Sequence, residues 1–109
     1  MTNVLVEKKN GSIVKVTCDG HTNYGEQGED IVCAALSSIV QTALLGLLTV
    51  AKINVKSKRD DNRGYLEMVL PDNMTASERH DADVITTTML MGISDFHEGF
   101  SDFIELEVK

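Results

Sequence analysis

A thiol and an imidazole together can carry out acyl transfer, the thiolate attacking a carbonyl carbon while the imidazole moves protons. The chain has 109 residues, with two cysteines, Cys18 and Cys33, and three histidines, one of which, His21, lies between the cysteines. Cys33 as nucleophile with His21 as general base is one chemistry open to this set. Metal binding is another, because Cys18-x-x-His21 with Cys33 offers three ligands, and Asp30, His80 or His97 could add a fourth. A third reading needs no chemistry: Cys33 packs in a core, His21 is solvated, and the chain is a binding or assembly module whose acidic surface holds a basic partner. Asp60-Asp61 and Asp81-Ala82-Asp83 read as solvated charges.

The elements around these residues decide whether they can meet. Val4–Val6 and Ile13–Cys18 are β-rich runs separated by Lys9-Asn10-Gly11, a tight-turn signal, and so predict a hairpin. Alternation places Val14, Val16 and Cys18 on one face, so Cys18 is expected in the core. The glycine-rich stretch Gly20–Gly28 predicts a loop. Asp30 is the expected N-cap of a helix whose apolar positions include Leu36, Val40, Leu44, Leu47 and Leu48. Ile53 and Val55, then Leu66, Met68 and Leu70, predict a second hairpin around the polar connection 58–64. A second helix is expected from about Thr75 to Glu98, with Ala82, Ile85, Met89, Ile93 and Phe96 inward, before a last strand carrying Ile104, Leu106 and Val108. The order β-β-α-β-β-α-β describes an α+β fold, a mostly antiparallel sheet of about five strands with two helices, and a single domain over residues 1–109.

In that order the loop bearing His21 delivers the chain to the helix bearing Cys33. With Asp30 as cap, Cys33 is the third helical residue, where unpaired amides and the helix dipole favour a thiolate and could hold an oxyanion. The Asp30 carboxylate would oppose that thiolate unless turned toward His21 or the helix amides. Capping and orienting the imidazole are therefore both open to it.

Seventeen acidic against ten basic side chains leave a charge of −7, and Lys56–Arg59 is the sole basic run. Direct nucleic-acid binding is not expected of such a surface. Two cysteines, with no basic-then-apolar leader in residues 1–8, point to a reducing compartment, and the cytoplasm is the expected location. The stretch Ile31–Ala51 has no charged residue and approaches the length of a membrane span, but its serines, threonines and Gln41 fit a buried helix better.

Asp19-Gly20-His21, followed by Tyr24-Gly25-Glu26, Gly28 and Asp30-Ile31-Val32-Cys33-Ala34-Ala35-Leu36-Ser37, closely resembles the ribosomal-processing cysteine protease family, Prp. The likeness extends to length and element order. It implies an endopeptidase, without a metal or cofactor, that removes an N-terminal extension from the precursor of a large-subunit ribosomal protein, the one numbered twenty-seven, cutting after paired phenylalanines. Carried over by position, His21 and Cys33 are the catalytic pair, and Gly20, Asp30 and Ser37 support the site. Homodimers and a mobile loop over the site, here Thr22–Gly28, are further implications. The usual alanine after the histidine is Thr22, and Leu36 stands where valine is common. A paired-aromatic cleavage site wants an apolar pocket, for which Tyr24, Ile31 and Val32 are the candidate lining.

Overall fold

The computed structural model describes residues 1–20 and 27–109, with side chains described for 1–20 and 31–109. Five strands form one sheet: β1 (Thr2–Lys9), β2 (Ser12–Asp19), β3 (Lys56–Asp60), β4 (Tyr65–Val69) and β5 (Ile104–Val108). Their order across the sheet is β3-β4-β2-β1-β5, so β2 is the middle strand. All neighbours are antiparallel except β1 and β5, which run parallel. Helix α1 (Gln27–Leu45) and helix α2 (Ala76–Gly99) complete the expected β-β-α-β-β-α-β order.

Asn10 and Gly11 adopt φ of 54° and 83°, the left-handed pair a tight β1–β2 turn requires. Just before that turn the register skips a residue: Glu7 pairs with Lys15, but Lys8 pairs with Ile13, leaving Val14 bulged. A bulge reverses the alternation beyond it, so Ile13 enters the core and Val14, expected inward, is half-exposed. Val16 and Cys18 lie below the bulge and are buried as expected.

The second hairpin also starts later than the alternation of Ile53 and Val55 suggests. Those two residues are buried in the segment before β3, and Lys58–Asp60, assigned to the connection, belong to the strand. β3 is an edge strand with every residue exposed, and its lysines and arginine discourage further pairing. Gly64, at φ 70°, turns the chain into β4.

Both helices pack into one core with the sheet. From α1 and the π-helical turn that continues it (Gly46–Val50) come Val32, Leu36, Val40, Ala43 and Leu47; from α2 come Ala82, Met89 and Ile93. Two residues beyond the turn, Lys52 adopts a left-handed conformation, φ 56°. Helix α2 opens with a capping box in which Thr75 and Glu78 satisfy each other's backbone N–H groups. Thr86 lies in its buried stripe without a polar cost, because its hydroxyl donates to the Ala82 carbonyl at 2.7 Å.

Candidate active site

The middle strand ends at Asp19, and Gly20 leaves it against helix α1. A β-carbon built on Gly20 would lie 2.1 Å from the Sγ of Cys33 and 3.1 Å from its Cβ, so only glycine allows this approach. Cys33 belongs to a stripe along α1 that includes Ser37 and Gln41, at the four-residue spacing that puts side chains on one face. Opposite stands the tip of the β3–β4 hairpin. Between them lies a cleft of about 330 Å³, with Gly20 and Cys33 together, Ser37 and Gln41 along the helix wall, and Arg59, Asn62 and Tyr65 on the hairpin wall.

The hairpin tip is fixed by several bonds. The Gly20 N–H donates to the Gly64 carbonyl at 2.9 Å. The guanidinium of Arg63 donates to Asp19 at 2.9 Å and lies over the Tyr65 ring, 4.7 Å from its centroid. Arg59 donates through Nε to Asp61 at 2.6 Å and through Nη1 to Gln41 at 3.2 Å, bridging hairpin and helix. The Tyr65 hydroxyl donates to Glu67, which raises the tyrosine pKa and lowers that of the glutamate.

The two thiols occupy different surroundings. Cys18 is 1% exposed, and its pKa is pushed up to about 12, first by burial and then by Cys33 and Asp19 nearby. Cys33 is half-exposed and lines the cleft, so it is the thiol a ligand can reach.

Several sequence expectations change here. Helix α1 begins at Gln27, so Asp30 is a helical residue and not the cap, and Cys33 is the seventh residue of the helix and not the third. The unpaired amides of the first turn are those of residues 27–30, and the first of these lies about 9 Å along the axis from Cys33. The dipole and oxyanion roles assigned to those amides weaken accordingly. Val32 cannot line a substrate pocket: it is 2% exposed and packs in the core beside Leu36 and Val40. Ile31 is 68% exposed but is not among the residues lining the cleft. Ser37 lines it.

His21, Tyr24 and most of the loop Thr22–Gly28 lie outside the described residues, as does the side chain of Asp30. Arg59 and Arg63, expected only as part of the polar connection 58–64, and Tyr65, which follows it, are site residues that no motif in the sequence marks; their place flanking the Gly64 turn is the one available signal. Asp60 and Asp61, expected in plain solvent, also line the cleft. Away from it, His80 is exposed beside Asp81, and His97 is half-buried in the last turn of α2. Among the described residues no three His, Cys, Asp or Glu side chains come together to hold a metal ion.

Comparison with known proteins bears on the same features. The family model for cysteine protease Prp matches residues 1–105. A ribosomal processing cysteine protease Prp from Staphylococcus aureus is 28% identical over 99 residues, covering 91% of this chain and 90% of that protein. The Bacillus subtilis protein of the same description is 22% identical over 90 residues, covering 83% and 80%. The crystal structure of an essential ribosomal processing protease Prp from S. aureus with a substrate peptide superposes with a TM-score of 0.87 at 25% identity, covering all of both chains. A second, with a covalently linked product peptide, gives 0.83 at 27%, again over both whole chains. With a match along nearly its full length and a fold that coincides with these proteases, the chain belongs to the cysteine protease Prp family.

Proposed function

We propose that this protein is a cysteine endopeptidase that removes the N-terminal extension of a large-subunit ribosomal protein precursor, the one numbered twenty-seven, cutting after paired phenylalanines. Cys33 is its nucleophile and His21 its general base. The observation that carries this reading is the packing of the Cys33 thiol against Gly20 at an open cleft. His21 follows Gly20 in the chain, and consecutive Cα atoms are about 3.8 Å apart, so a thiol touching one residue is within side-chain reach of the next. The covalently linked product peptide of the S. aureus relative supports nucleophilic catalysis.

In this reading His21 accepts the Cys33 proton, and the thiolate adds to the scissile carbonyl. The tetrahedral intermediate collapses as His21 returns the proton to the leaving amine, giving a thioester. Water, deprotonated by His21, then attacks the thioester and frees the thiol. Asp30, no longer the cap, orients the imidazole; Gly20 leaves space for the thiol, and Ser37 lines the peptide's path. No metal or cofactor takes part.

The chain works as one domain, residues 1–109, in the cytoplasm and as a homodimer. The net charge of −7 argues against direct nucleic-acid binding. The segment Ile31–Val50 is long and apolar enough to cross a membrane; it is not buried on most of its faces as expected, but one stripe, Val32, Leu36, Val40, Ala43 and Leu47, packs it into the core, which supports an amphipathic helix of a globular domain. A groove between α1 and α2, lined by Ile39, Ala43, Val84, Ile85 and Met89, with Val84 54% exposed, supports self-association.

Incubation with a precursor peptide containing Phe-Phe-Ala should give two products whose masses place the cut after the second phenylalanine. Cys33→Ala should give none while keeping the fold, since alanine suits a helix. Cleavage by the alanine variant at the wild-type rate would sink the proposal.

A further inference from the structure

A peptide entering the cleft must replace the water on its backbone carbonyls with new donors. The amides of the α1 wall are committed to their own helix, so along that wall side chains must supply them. Arg63 gives one N–H to Asp19 and lays its guanidinium on the Tyr65 ring, so it is held within the sheet end and, among the described residues, makes no bond to the helix wall. Arg59 differs. It stands at the far end of the helix wall, oriented by Asp61 through Nε and by Gln41 through one N–H, which leaves the remaining N–H groups of its fork for a ligand.

The distance from the thiol follows from helix geometry. Cys33 and Gln41 lie on the same stripe, eight residues apart in sequence, which is about 12 Å along the axis. An extended peptide covers that span in about four residues. Building on the protease reading, we propose that Arg59, held by Gln41 and Asp61, is a specificity-determining residue. It binds a hydrogen-bond acceptor of the substrate, a carbonyl or carboxylate, about four residues from the scissile bond. The Arg59 side chain is 56% exposed, and an ion pair that open contributes little to folding, so the bridge is better explained by positioning than by stability.

The test is a cycle between enzyme and substrate. KM and kcat are measured for wild type and Arg59→Ala on a Phe-Phe-Ala peptide with six residues on either side, and on two versions cut back to two residues, one on each side. A charge-assisted hydrogen bond is worth about tenfold or more in affinity. One of the truncations should raise the wild-type KM by about that factor. Arg59→Ala should raise KM on the full peptide as much, and adding that truncation should cost it nothing further, because both remove the same bond. Penalties that multiply, a KM indifferent to Arg59→Ala, or an equal fall in kcat on every peptide would overturn the assignment. Cleavage that requires Cys33 but ignores Arg59 removes only the subsite; cleavage unaffected by Cys33→Ala removes the protease reading along with it.

Discussion

Where any other residue would place a carbon, Gly20 leaves room for sulfur, 2.1 Å from that carbon's position. Gly20→Ala must therefore rotate the Cys33 thiol or push back the end of β2. A displacement of about 1 Å at a reacting atom can cost about 100-fold in rate. Cleavage by Gly20→Ala should fall by about that factor while circular dichroism still reports a folded protein; wild-type kinetics would show that the thiol's position is irrelevant. The motif that aligned Gly20 and Cys33 was legible in sequence because it is local, two short runs joined by a glycine-rich stretch. Tyr65 was not, since what brings it to the cleft is the pairing of β4 with β2. Val32 was misassigned because nearness to Cys33 in sequence says nothing of direction: on a helix, adjacent residues point about 100° apart, one here to the cleft and the other to the core.

At the level of elements, the start of α1 was the largest error, with a physical cause. Asp is a favoured cap, but it is also tolerated in a first turn, where its charge suits the dipole, so a single Asp does not fix the boundary. The distinction can be measured by comparing two variants. Thr75→Ala removes a true cap and should cost about 1 kcal/mol, a drop of several degrees in Tm, with little effect on peptide cleavage. Asp30→Asn should do the reverse, leaving Tm in place and lowering kcat, because Asp30 is helical and its proposed task is to hold an imidazolium. A Tm loss for Asp30→Asn equal to that of Thr75→Ala would restore the capping role. The strands were legible from alternation except where a bulge inverted it at Val14 and where exposed, charged β3 gave no apolar signal.

For the whole molecule, topology explains why the cleft exists: the sheet's middle strand ends under α1, and the hairpin outside it folds its tip back onto Gly20. The α+β order could be read from the sequence, whereas the parallel pairing of β5 with β1 depends on the crossover through α2. The apolar residues left exposed on the helices, among them Leu45, Val50, Val84 and Met91, lead us to expect a dimer in native mass spectrometry at micromolar concentration. A strictly monomeric species would contradict it.

The account rests above all on an imidazole that activates the cleft thiol, and the most direct measurement is the rate of iodoacetamide alkylation, cysteine by cysteine, from about pH 6 to 9 in wild type and His21→Ala. Cys18, buried and pushed up to about 12, serves as the internal control and should stay unlabelled in the folded protein. Cys33 of the wild type should react quickly well below pH ~8.5, where an ordinary thiol is half ionised, and His21→Ala should slow that reaction at the acid end of the range. Equal Cys33 alkylation rates in the two proteins at every pH would contradict the account.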